Sequence, residues 1–389
     1  MHIAINTLPM KRKLHGVGNY IKNLVWSLSR IDSVNEYLIL GSHENLCHLS
    51  GLPGSFQVHS APGAPVQRIL WEQSVLPAVL KRKKIDLYHG PAFIAPLLKT
   101  CPQIVTIHDA SFRLTPERHS LPRRVFYRHI VPSIMRASDG IIAVSRSAKS
   151  DLLDVARVPQ EKISVIPLGV DTQFQPVHDP HRLEQLRYKY SLPRDFILYV
   201  GMIEPRKNLD TLVDAYLADS LSTRFDLVLA GGLGWNYSGL LQKIHASGAA
   251  HCIRLLGYIP DSDLPALYTA ASAFAYPSLY EGFGLPVLEA MACGTPVVTS
   301  SVSSLPEVAG TAALLTDPHD HGALASALRA LLSNHNLRAE LSARGLQRAR
   351  SFTWEQTARK TLALYNRVAQ NQPQPTHVAH PRHAAQGSL

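Results

Sequence analysis

Short apolar runs alternate with amphipathic stretches along most of this chain, and the alternation starts over once. The first series is "HIAIN", "YLILG", "DLYHG", "QIVTIHD", "GIIAVS" and "ISVIPLG". After "GVDTQFQPVHDPHR" a second begins: "FILYVG", "FDLVLAGG", "IRLLGY", "AFAYPS", "PVVTS" and "AALLTD". Runs without polar alternation suit strands buried on both faces, and helical patterns such as residues 18–28 and 147–156 lie between them. The pattern predicts an α/β protein of two doubly wound parallel sheets, residues 1–172 and 173–353, joined near 170–190. Ligands of such sheets sit at the carboxyl ends of the strands. A last helix, 354–369, is expected to cross back to the first domain. The Pro-, Gln- and His-rich residues 371–389 read as a disordered tail.

A length of 389 residues accommodates two such domains, and 46% hydrophobic with 17% charged residues is the balance of an ordered protein. No apolar run is long enough to span a bilayer, and "MHIAINTLPMKRK" lacks the layout of a secretory leader. Cys47, Cys101, Cys252 and Cys293 stand singly, as reduced cytoplasmic thiols would. The net charge of +10 is one-sided: residues 1–170 carry 21 Lys and Arg against 11 Asp and Glu, and the remainder carries 18 of each. Clusters lie at 11–13, 81–84 and 118–136. They read either as solvated faces or as attraction to an anionic surface. The segment "PERHSLPRRVFYRHIVPSIMR" is expected to form or border an interfacial helix. Arg123, Arg124, Arg128 and Arg136 would meet lipid headgroups, with Val125, Phe126, Ile130 and Ile134 as apolar contacts; the alternative is a buried helix. No aromatic-interleaved basic motif suggests nucleic acid.

The chemistry concentrates in "YPSLYEGFGLPVLEAMACGTPVV". Pro286 predicts a helix starting at Leu285 or Pro286, with N–H groups near Gly284 and Leu285 facing out of the carboxyl edge. Such a helix tip attracts anions, and glycine lets a ligand approach the backbone. Glu281 precedes the tip and Glu289 lies about one turn inside. A carboxylate accepts bonds from vicinal hydroxyls, so this layout suits a sugar nucleotide: phosphates at the tip, ribose on Glu289, sugar near Glu281. In "YVGMIEPRKNLDTL", Arg206 and Lys207 end a strand where they can neutralise a diphosphate without metal, and Asn208 is expected to cap the next helix. "HGVGNYIKNL" offers Gly16 and Gly18 at the first helix; Ile21 replaces the third glycine of a dinucleotide fingerprint, which weakens an NAD-enzyme reading. His108 and Asp109 in "VTIHDASF" end another strand at the ligand edge. "DSD" at 261–263 reads as a helix cap, not a metal site, and no metal is assigned.

Taken together, these stretches resemble family 4 retaining glycosyltransferases, with "HGVGNY", "VTIHD", "AVSRSAKSDL", "VIPLGVD", "EPRKN" and "EGFGLPVLE" in register over residues 2–370. The resemblance implies the GT-B fold, two Rossmann-like domains facing a cleft. It implies that Glu289 holds the donor ribose and Glu281 lies by the donor sugar. Amides of Phe283, Gly284 and Leu285 would bind sugar and phosphate, and Arg206 and Lys207 the diphosphate. The Gly16–Gly18 loop would approach phosphate and acceptor, with His108 at the donor sugar and Asp109 beside it. Many members have Gly-Arg where this chain has Gly201-Met202, so one phosphate contact can be missing. "WEQ" at 71–73 and "GGLGW" at 231–235 are similar to a mannosyltransferase-like branch that builds O-antigen and exopolysaccharide from GDP-mannose. The resemblance therefore implies an enzyme with a nucleotide-sugar substrate and no other cofactor. It would work on a lipid-linked or polysaccharide acceptor, in the cytoplasm at the anionic inner face of the plasma membrane. The rivals are a UDP-sugar glucosyl- or N-acetylglucosaminyltransferase and a two-domain NAD enzyme.

Overall fold

A computed structural model describes residues 1–14, 16–111, 126–218 and 221–370. Its first sheet holds β1 (His2–Asn6), β2 (Glu36–Gly41), β3 (Phe56–Ser60), β4 (Leu87–Gly90), β5 (Gln103–Ile107), β6 (Gly140–Ala143) and β7 (Ile163–Val165). They are parallel, in the order β3-β2-β1-β4-β5-β6-β7. The second sheet holds β8 (Phe196–Val200), β9 (Asp226–Ala230), β10 (Ile253–Gly257), β11 (Ala273–Tyr276), β12 (Val297–Ser300) and β13 (Ala313–Thr316), in the order β10-β9-β8-β11-β12-β13. Central strands are apolar without alternation because helices cover both faces: Ile3 to Ile5 and Phe196 to Tyr199 are fully buried. This is the GT-B arrangement. β3 was not among the expected strands. It is an edge strand with a neighbour on one side only, so its sequence FQVHS is mostly exposed and lacks the apolar run.

Strand order reverses between β1 and β4 and again between β8 and β11, so a crevice opens at the carboxyl end of each pair. Two crossings join the sheets and run side by side, with Val170 N–H donating to Phe352 O at 3.0 Å. The helix Trp354–Gln370 then packs on Gly16–Ile31, and its Tyr365 hydroxyl lies 2.6 Å from His89 Nδ1 in the first sheet's core.

Three expectations need correction. Ile134 is fully buried, and Phe126 and Ile130 pack against the core, so these apolar groups face inward and not toward lipid. Only Arg128 and Arg136 of that set are exposed; Arg123, Arg124 and Val125 lie outside the described residues, as does 371–389. Asn208 does not cap with its side chain: it takes a left-handed backbone (φ 58°) and donates to Pro277 O at 3.1 Å and Pro318 O at 2.6 Å. Asp263 stands at the N-cap, just before the helix Leu264–Ala270, yet its carboxylate accepts from Lys189 Nζ and Tyr190 OH, not from helix amides.

Candidate active site

The site grows from the β8–β11 crevice. β8 leads into a short helical turn, Pro205–Lys207, and β11 into the loop 277–284. Both ends meet there, which brings Arg206 and Lys207 onto Glu281. Lys207 Nζ lies 2.5 Å from Glu281 Oε1, Tyr276 OH 3.1 Å from the same oxygen, and Arg206 Nη1 3.0 Å from Oε2. Burial alone would raise the Glu281 carboxyl, but Lys207 and Arg206 hold it down at about 2. Burial pulls Lys207 below the usual lysine range against the opposing attraction of Glu281. Arg206 also pairs with Glu204 at 3.0 Å. From the sequence alone, Arg206 and Lys207 read as positive charge awaiting phosphate. In the fold, Glu204 and Glu281 balance them.

The helix Leu285–Ala292 begins as expected, behind Gly284 with φ 103° and with Pro286 in its first turn. Pro286 brings no N–H, and Val287 and Leu288 donate to Gly284 O at 3.1 and 3.4 Å, which leaves the helix tip to the amides of Gly284 and Leu285. Glu289, one turn on, accepts from Tyr268 OH at 2.9 Å; burial pushes its carboxyl up to about 7 although that bond opposes the rise. Glu289 lines a small cavity of about 50 Å³ with Asn19, Asp171, Asp261, Leu285 and Trp354. A groove of about 850 Å³ along the first helix and the crossings shares several of these walls.

The first sheet supplies the opposite wall. His108 follows β5 and is buried; its Nε2 lies 2.8 Å from Pro91 O, so that nitrogen carries the proton and Nδ1 is the acceptor. Burial lowers its pKa and keeps the ring neutral. Asp109 engages Ser111 with one carboxylate oxygen, 2.9 Å from N and 2.7 Å from Oγ. Gly16 and Gly18 open the first helix, and Tyr20, two residues on, meets the His108 ring edge-on at 4.8 Å. Lys13 in the same loop sits 5.2 Å over the Tyr258 ring of the second half.

Residues given no role of their own from the sequence, most of them inside the quoted motifs, hold the two walls together. The Tyr280 hydroxyl donates to Asp151 Oδ2 at 2.7 Å and accepts from Ala110 N at 3.0 Å. Its carbonyl accepts from Arg206 Nη1 at 2.6 Å. Ser145 caps the helix Arg146–Ala156 and donates to Gly282 O at 2.7 Å; Glu307 accepts from Arg146 N at 2.8 Å. A Cβ on Gly282 would stand 1.9 Å from His108 O, so only glycine fits. Arg206 and Lys207 therefore close on Glu281, the loop that carries Glu281 packs on the His108 backbone, and Glu289 lies farther along the helix. The arrangement can hold an anion at a helix tip, hydroxyls on carboxylates, and a second reactant against the first sheet.

Residues 14–174 match the family described as Glycosyltransferase Family 4, and residues 186–348 match Glycosyl transferases group 1. The chain is 33% identical over 380 residues to O-antigen chain mannosyltransferase B of Escherichia coli, covering 94% of this chain and 99% of that one. It is 34% identical over 275 residues to the serotype-specific mannosyltransferase WbdA of Escherichia coli, 69% of this chain but 34% of that protein. Among solved structures, sucrose-phosphate synthase from Thermosynechococcus elongatus shares the fold with a TM-score of 0.76 at 20% identity, over 95% of this chain and 100% of that one. Anabaena HepE, solved with UDP and glucose, gives 0.75 at 20% identity, over 94% and 100%. Two halves that each match, and a relative matched along nearly its whole length, make this chain a member of the family 4, group 1 glycosyltransferases.

Proposed function

We propose that this enzyme transfers a hexose, mannose from GDP-mannose, with retention of configuration, to a lipid-linked or polysaccharide acceptor of a cell-surface glycan. Residues 1–172 would form the acceptor half and residues 173–353 the donor half, working at the cytoplasmic face of the membrane. The observation that carries this reading is the near-full-length identity to an O-antigen chain mannosyltransferase.

In the mechanism, Glu289 accepts the two ribose hydroxyls. The amides of Phe283, Gly284 and Leu285, together with Arg206 and Lys207, meet the diphosphate. Binding must redirect Arg206 and Lys207 from Glu281 toward phosphate, which frees Glu281 for the sugar hydroxyls. The bond from the anomeric carbon to the diphosphate oxygen then breaks, leaving its electron pair on phosphate. The acceptor oxygen bonds to the same face, and its proton passes to the departing phosphate oxygen. Leaving-group stabilisation in a water-poor cleft drives the step. His108, neutral, with Gly16, Gly18 and Asp109 nearby, borders the sugar and acceptor.

Release of nucleoside diphosphate should be measured across GDP-mannose, UDP-glucose, UDP-N-acetylglucosamine and dTDP-sugars, and the product anomer read by NMR. Turnover with GDP-mannose and an axial product linkage is expected. Preference for a UDP-sugar would replace the donor, and an equatorial linkage would reject retention. Chelator is expected to leave turnover unchanged, since Asp263 of "DSD" is engaged by Lys189 and Tyr190.

A further inference from the structure

The helices Pro65–Ser74 and Leu76–Arg82 lie against the first half; the second buries Leu76, Val79 and Leu80, and the first buries Glu72, which faces Asn6 of β1. A helix covering a sheet should be polar on its other face. Here it is not. Val66 is 72% exposed and Leu70 64%, with Ser74, Val75 and Ala78 continuing the outward row at helical spacing. The segment after β4 lies alongside: Leu97 N–H donates to Gln73 Oε1 at 3.0 Å and Thr100 Oγ1 to Pro77 O at 3.3 Å. That segment adds Leu98, 67% exposed, and Leu97. Val66, Leu70, Val75, Leu97 and Leu98 thus give this surface a cluster of exposed aliphatic groups, interrupted by Gln67 and Ser74, of the kind that marks a contact site.

Its charge says what the contact is. The outward row continues into Lys81, Arg82, Lys83 and Lys84, all exposed, while Lys99 beside Leu98 pairs with Asp139 at 2.9 Å. Between residues 61 and 84 the only acidic residue is Glu72, and it is buried, facing Asn6 Nδ2 at 2.7 Å. The basic cluster belongs to the same face, since Lys81 and Arg82 stand three and four positions past exposed Ala78 on the same helix. A protein partner with an apolar patch would match the leucines but leave four adjacent cations unanswered. An anionic bilayer answers both, with acyl chains for the leucines and headgroups for the lysines.

We infer that the outer face of helices Pro65–Ser74 and Leu76–Arg82, with Leu97 and Leu98, is the surface by which the enzyme lies on an anionic membrane. This deepens the membrane part of the proposed function by naming the surface. It also replaces the segment around 126–136, whose apolar side chains are core.

The full chain should be sedimented with vesicles of phosphatidylcholine alone and of equimolar phosphatidylcholine and phosphatidylglycerol. Binding is expected with the anionic vesicles only, and should fall with salt. The pair Leu70→Glu with Leu98→Glu, and the pair Lys81→Glu with Lys83→Glu, should each lower the bound fraction at least fivefold. Arg128→Glu with Arg136→Glu should leave it unchanged. Tm by calorimetry checks that each pair is folded. Wild-type binding equal on both vesicle types, or patch variants that bind like wild type, overturns the inference. So does a concentration-dependent dimer, seen by light scattering, that Leu70→Glu with Leu98→Glu dissolves while vesicles capture nothing. Nucleoside diphosphate release with a soluble acceptor is measured in parallel. Its absence with every donor would sink the catalytic reading while leaving the vesicle result standing.

Discussion

Glu281 and Glu289 are eight positions apart in one loop-and-helix unit, and their surroundings drive them in opposite directions. Two buried cations hold Glu281 ionised at about 2, whereas burial with a single tyrosine bond lifts Glu289 to about 7. The sign for Glu289 follows from linkage. Its pKa is raised on folding, so its contribution is fully present below the unfolded value near 4.5 and is lost as pH rises through 7. Glu289→Gln should therefore be near neutral in stability at about pH 4 and stabilising at about pH 8, by on the order of 3 kcal/mol, while donor binding weakens at both. Calorimetric scans of the two proteins across that range check it, and a constant Tm gap would show that Glu289 is not titrating there. Glu281 behaves otherwise. Removing it strands Lys207 and Arg206 in the interior, so Glu281→Gln should cost about 3–5 kcal/mol of stability as well as turnover. Glu281→Gln combined with Lys207→Met should regain much of that stability but no activity. Urea unfolding separates the cases, and equal losses in single and double variants would mean that the pair is not coupled.

At the scale of elements, the loop 277–284 belongs to the second sheet but is fastened to the first. Tyr280→Phe keeps the ring and removes the hydroxyl that bridges Asp151 and Ala110 N. Turnover should drop roughly tenfold, as for a bond of about 1.4 kcal/mol, with donor Kd unchanged. A rise in Kd with kcat intact would assign Tyr280 to binding instead. This fastening could not be read from the sequence: Tyr280 and Asp151 are 129 positions apart, and nothing local in "PSLYEGFG" distinguishes a tyrosine that reaches across a cleft. All six strands of the second sheet were legible because each keeps adjacent apolar residues, even β10 with Arg254 in it, and the start of helix Leu285–Ala292 because proline and glycine have fixed meanings at a helix entry. Edge strand β3 lacked the run. Asn208 and Asp263 were misread because capping is the commonest local use of those residues, and a tertiary partner prevailed over it in each case. The charge balance at Arg206 was half hidden for the same reason: Glu204 is two residues away, but Glu281 arrives from the loop after β11.

At the scale of the whole molecule, the first half depends on the far end of the chain. The helix Trp354–Gln370 covers the first helix and, through Tyr365, closes over His89, whose buried ring is held far on the neutral side at about 3. A chain ending at residue 353 should lose that cover, unfold at lower temperature, and expose apolar surface to dye binding. An unchanged Tm would show that the helix is dispensable. The arrangement also sets a schedule for synthesis. The first sheet is complete in sequence once β7 has been made, but the helix that finishes its core is encoded about 200 residues later. At roughly 5–20 residues per second, the N-terminal half waits on the order of 10–40 s on the ribosome with that face open. Throughout the wait it carries the exposed Leu70 and Leu98 as well. Stalled nascent chains ending at residue 353 should therefore be held by chaperones, and those extended past residue 370 with a linker released, so that this enzyme's last translated helix decides when its first domain stops being a client.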